Sequence, residues 1–108
     1  MTRIGGQGAA PGLAEGEACV LVGEGIPDAV PDKAIVVVKV LHPYLAPLLL
    51  RAGGVVVETG GLLQHAVILA REFGIPAVVG VVDATQRIAS GAIVRIDGDT
   101  GSVLVAGQ

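Results

Sequence analysis

The chain has 108 residues, enough for one domain, here residues 1–108. Apolar residues make up 52% of it, yet Tyr44 and Phe73 are the only aromatics, so the core is aliphatic. The net charge is −3 and the seven basic residues are scattered, which argues against a nucleic-acid partner. The single cysteine, Cys19, rules out an internal disulfide and a cysteine metal cluster, and its setting "ACVLV" reads as core. No run approaches the roughly 18 apolar residues that a membrane span needs. The opening "MTRIGGQGAAPG" lacks the apolar stretch of a secretory signal, so a cytoplasmic protein with no membrane contact is expected.

Residues 4–12, "IGGQGAAPG", read as a turn-rich opening segment. They lack the third glycine and the preceding strand of a dinucleotide-binding loop. A strand is expected over 17–22, then a loop with two prolines, then a fully buried strand over 34–40. Residues 42–54 read as a helix after Pro43, ended by Gly53 and Gly54. A third strand, 55–58, leads through Gly60 and Gly61 into a helix over about 64–73, stopped by Gly74 and Pro76. A short strand at 77–80 precedes a helix over 83–89 with Asp83 as its N-cap. Residues 92–107 alternate, turn at 97–101 and alternate again, as a β-hairpin does. Helices interleaved with buried strands predict an α/β domain.

Chemistry concentrates at "GGLLQHAVILAREFGIPAVVG", residues 60–80. Gly60 and Gly61 permit a sharp turn after a buried strand, and His65 then opens a helix. Unpaired N–H groups and the positive end of the helix dipole make that first turn a site for an anion such as a phosphoryl group. The same dipole disfavours imidazolium and so leaves a ring nitrogen free to attack. These features by themselves also fit a capping or partly buried histidine. Metal binding has little support, because His42 is the only other histidine and suits a surface loop. Ser90 and Ser102 lie in turn-like settings without a nucleophile elbow.

This stretch resembles the phosphohistidine signature of the mobile domain of the phosphoenolpyruvate (PEP)-utilising enzymes. That family includes pyruvate phosphate dikinase, PEP synthase, rifampicin phosphotransferase and enzyme I of the bacterial sugar phosphotransferase system. The matching positions are Gly60, Gly61, His65, Ala66, Ile68, Ala70, Arg71 and Gly74 through Gly80. Segments 9–18, 51–61 and 83–103 resemble the family's opening, its strand into the histidine loop and its closing segment. Leu63 and Gln64 stand where several relatives have Thr-Ser.

The resemblance implies a swivelling β/β/α domain whose His65 carries a phosphoryl group between sites on other domains. One such site would lie on an ATP-grasp domain, the other on a TIM-barrel domain that handles PEP or pyruvate. Mg2+ and ATP or PEP would then be held by those partners, with no cofactor or metal in this chain. The chain would be a phosphotransferase component, incomplete as an enzyme by itself. Thr59, Gly60, Gly61 and Gln64 are expected to cradle or support the phosphate. Arg71, six residues past His65, is read as chiefly structural or interfacial, with the phosphate side as the alternative. The rival reading is a docking or regulatory module of the same fold that carries no phosphate.

Overall fold

The computed structural model describes residues 2–22, 30–58 and 63–106. The described strands are β1 (Thr2–Gly5), β2 (Gln7–Ala10), β3 (Leu13–Leu21), β4 (Ile35–Val38), β5 (Gly54–Val57), β6 (Ala77–Val79), β7 (Ile93–Asp97) and β8 (Ser102–Val105). The α-helices are α1 (Ala46–Leu49), extended at its start by a 3-10 turn over Pro43–Leu45, α2 (Leu63–Phe73) and α3 (Ala84–Arg87).

The strands are ordered β1-β8-β7-β3-β4-β5-β6-β2. β3 is shared by two halves: its first part pairs antiparallel with β7 from Leu13 to Glu17, and its last part pairs parallel with β4 from Ala18 to Leu21. β4, β5 and β6 continue the parallel half, and β2 closes it antiparallel to β6. Only Gly6 separates β1 from β2, although they stand at opposite ends of the strand order. The sheet therefore folds back on itself.

The apolar patterns follow from this layering. β4 (IVVV), β5 (GVVV) and β6 (AVV) are buried at every position. Strands buried on both faces read as continuous apolar runs rather than alternations. One face, with Ile35, Val37, Val56 and Val78, packs on Ile4, Val94, Ile96, Val103 and Val105 of the antiparallel half. The other, with Val36, Val38, Val55 and Val57, packs under Leu45, Leu48, Leu49 and Ala70 of the helical layer. β7 and β8 have one buried face and alternate accordingly. The result is a β/β/α arrangement, as the resemblance implies. Each fully buried valine in these layers contributes about 1.5–3 kcal/mol.

α2 lies on the parallel half through Ala70, with Val67, Leu69 and Phe73 half-buried, while Ile68, Arg71 and Glu72 face outward. It ends in a Schellman motif: the Ile75 N–H donates to the Ala70 carbonyl at 3.1 Å and the Gly74 N–H to the Arg71 carbonyl at 3.2 Å. Gly74 takes the left-handed φ of 69° that this motif needs. Cys19 is a buried free thiol, and burial pushes its pKa up, as suits a core residue.

Three expectations need correction. The opening segment is two strands, not a turn-rich stretch, because β8 and β6 offer open ladders that override a glycine-rich composition. The helix expected over 42–54 ends at Leu49. Beyond it the Gly53 N–H donates to the Ala34 carbonyl and the Arg51 carbonyl accepts from Lys33, which draws this backbone toward β4. α3 is shorter than 83–89, and Asp83 makes no side-chain cap bond, since it sits in the left-handed region at φ 57°.

Candidate functional site

Parallel strands β3, β4, β5 and β6 all end on one edge of the sheet, the edge where open α/β sheets bind ligands. β5 ends at Val57, Glu58 follows, and α2 begins at Leu63. Gln64 and His65 therefore occupy the first turn of an eleven-residue helix that starts from this edge. That turn holds no acidic residue, so nothing in it opposes an incoming anion at the positive end of the dipole. Thr59, Gly60 and Gly61 lie outside the described residues, as do the side chains of Gln64 and His65.

Arg71 sits in the last turn of α2, about 9 Å along the axis from His65 at 1.5 Å per residue. Its Nε donates to the Ala9 carbonyl at 3.2 Å and ties the end of α2 to β2. The structural task expected of Arg71 thus has a specific partner. Arg71→Ala should lower stability by about 1 kcal/mol, the usual net worth of such a bond, read as a drop in the denaturant midpoint.

The sequence reading passed over Glu58. It is the one buried charged residue among those described, at 9% exposure. Its backbone N–H donates to the Val38 carbonyl at 2.8 Å. Its Oε2 accepts two bonds from Thr85, one from the hydroxyl at 2.7 Å and one from the backbone N–H at 3.1 Å. Glu58 thus caps α3 from across the fold, in the role expected of Asp83. The Thr85 hydroxyl holds the Glu58 carboxyl below its ordinary pKa. Burial opposes that shift, and the Thr85 N–H and the Lys39 charge add to it.

A carboxylate with a depressed folded-state pKa stabilises the fold above its unfolded pKa of about 4.3 and loses that contribution as pH falls through the folded value. Glu58→Gln, which cannot ionise, should therefore be destabilised relative to the wild type at pH 7. The gap between the two melting temperatures should close as the pH is taken down through the acid range. A gap that stayed constant from pH 7 to pH 3 would mean that the charge contributes nothing.

Beside this clamp an open cleft of about 430 Å³ follows the ends of β3 and β4. Leu21, Lys39, Tyr44, Thr85 and Gln86 line it, together with His42, whose ring stacks on that of Tyr44 at 5.3 Å and 12°. His42 is exposed, as expected of a loop residue. Among the described residues no three His, Cys, Asp or Glu side chains converge on a metal site. No helix among them is long and apolar enough to cross a membrane.

The family model for the "PEP-utilising enzyme, mobile domain" matches residues 30–101. The chain is 37% identical over 98 residues to a probable phosphoenolpyruvate synthase of Pyrococcus abyssi, which covers 91% of this chain and 12% of the synthase. The solution structure of an Enzyme I protein, nEIt, superposes with a TM-score of 0.64 at 30% identity, over 73% of this chain and 33% of that one. Aconitase X of Thermococcus kodakaraensis superposes with a TM-score of 0.72 over 97% of this chain and 98% of that one; at 20% identity this likeness concerns the fold. The chain thus spans about an eighth of the synthase it matches and a third of the Enzyme I chain, each of which carries this unit as one part of something larger.

Proposed function

The chain belongs to the family of PEP-utilising enzyme mobile domains, and we propose that it is a phosphoryl carrier that takes its phosphoryl group on His65. The observation that carries this reading is the position of His65. It lies in the first turn of α2, seven residues beyond Glu58, on the sheet edge where parallel strands end.

The chemistry asked of the chain is brief. A neutral ring nitrogen of His65 attacks phosphorus, the P–N bond forms, and the bond from phosphorus to the donor's leaving group breaks. The helix N-terminus offers N–H groups to the phosphoryl oxygens, and the rigid β/β layers hold α2 while this happens. In the second half an acceptor oxygen attacks phosphorus and the P–N bond breaks, which restores His65. Gln64, in the same turn, would contact the phosphate or the partner. Thr59, Gly60 and Gly61 would form the rest of the cradle.

The partners in this reading are an ATP-grasp domain or protein that loads His65 and a domain, such as a PEP or pyruvate barrel, that unloads it. Mg2+ and the nucleotide or PEP are substrates and ligands of those partners. The length of the synthase that lies outside the match leaves room for both.

A partner-free test uses potassium phosphoramidate, which phosphorylates accessible histidines with release of ammonia, on a His42→Gln chain in which His65 is the one histidine left. One acid-labile, base-stable phosphate per chain is expected, on the peptide that contains His65. A folded chain that took no such label, or took it elsewhere, would overturn the carrier reading and leave the docking module in its place.

A further inference from the structure

We infer that Glu58 is a positioning residue for His65, clamped by Thr85 so that the chain leaves β5 toward α2 from one fixed point and in one direction. The inference rests on the carrier reading of His65. Its basis is the convergence of neighbouring elements on a single residue. β4 holds the Glu58 N–H through the Val38 carbonyl. α3 holds the carboxylate through both donors of Thr85. The segment that leads into α3 is fixed to β5, since the Val81 N–H donates to the Val57 carbonyl at 3.2 Å, and Ala84, the first residue of α3, is fully buried. The backbone and side chain of the last residue before the histidine loop are thus bonded to different neighbours. The exit from the sheet is fixed in rotation as well as in position.

Burying a carboxylate carries a desolvation cost, which at Glu58 opposes the lowering of its pKa by the Thr85 bonds. An apolar side chain here would continue the run Val55-Val56-Val57 at no such cost. The carboxylate instead supplies direction: one oxygen takes both Thr85 donors. Direction matters to a nucleophile, because a displacement on the order of 1 Å costs about a hundredfold in rate. Thr85 thereby joins the support of the phosphoryl site, although it lies twenty residues past His65 in the chain.

The test compares Thr85→Val, which keeps shape and N–H but loses the hydroxyl, with Thr85→Ser, which keeps the hydroxyl, and with Glu58→Gln. Two quantities are read on the folded chain: the rate of phosphoramidate labelling at His65, and the NMR positions of the His65 ring resonances. Thr85→Val should slow labelling by about tenfold and displace the ring resonances. Thr85→Ser should restore both, and Glu58→Gln should fall between. A clamp that served stability alone would lower the melting temperature and leave the labelling rate and ring resonances of the folded protein unmoved, and that result would overturn the inference. If the wild-type chain took no label on His65, the carrier reading itself would fall. The ring resonances would still decide whether the clamp governs the histidine.

Discussion

His65→Ala, made in a His42→Gln chain so that no other histidine can take the label, will abolish acid-labile phosphate, with incorporation from phosphoramidate or a cognate kinase partner falling by at least about 10³-fold, because alanine has no atom that can attack phosphorus. The fold will survive the change. His65 lies on an eleven-residue helix anchored by Ala70, Val67, Leu69 and Phe73, and alanine is the better helix former. Loss of label should therefore come without a drop in melting temperature, which separates a missing nucleophile from a damaged domain. His65→Asn, polar but poorly nucleophilic, should behave like the alanine variant. Residual label in either variant above a tenth of the wild-type level would place the phosphate elsewhere.

The two positions whose replacement tests the carrier most directly differ in how far the sequence exposes them. His65 is legible because its signals are local: a glycine pair, an apolar helix and the closing "GIPAVVG" lie within 21 consecutive residues. The buried strands β4 and β5 are legible for the same reason, since runs such as "IVVV" leave few other readings. Glu58 is not, because its meaning depends on Thr85, 27 residues away. In "VVVETGG" it reads as an ordinary strand end, and "DATQ" points to Asp83 as the cap of α3. The available signal is a lone charge closing an apolar run just before the glycine pair.

β1 and β2 are hidden for a related reason. Their partners lie about a hundred and about seventy residues away, as the pairings Thr2 with Val105 and Gln7 with Val79 show. Their glycines weaken any local strand signal. Where pairing is non-local, composition describes the segment poorly.

That non-local closure sets the other large expected effect, at Gly98 in the turn between β7 and β8. A Cβ there would fall on the Ala10 carbonyl oxygen and within 3.3 Å of the Ala77 amide nitrogen, where β2 and β6 approach the turn. The Gly98 N–H also donates to the Gly12 carbonyl at 2.8 Å, which ties the turn to the start of β3. The obstacles are backbone atoms, which cannot turn aside as a side chain can, so the strand or the turn must move. Gly98→Ala should cost about 3 kcal/mol, the upper part of the range for overpacking. For a domain of this length that lowers the melting temperature by roughly 10–20 °C.

Gly91→Ala provides the contrast. Gly91 adopts φ 92°, but a Cβ there would have nothing within 4 Å, so only conformational strain of about 1–2 kcal/mol opposes the change. Glycine at 98 thus answers to space and glycine at 91 to backbone geometry, and the first should be the more damaging. Equal losses in the two variants, measured by thermal unfolding, would mean that the turn yields easily and that β2 is not held against it. The expected order, with Gly98→Ala below Gly91→Ala, would establish that β2 and β6 are held against this turn, and with it the rigid β/β base on which α2 rests.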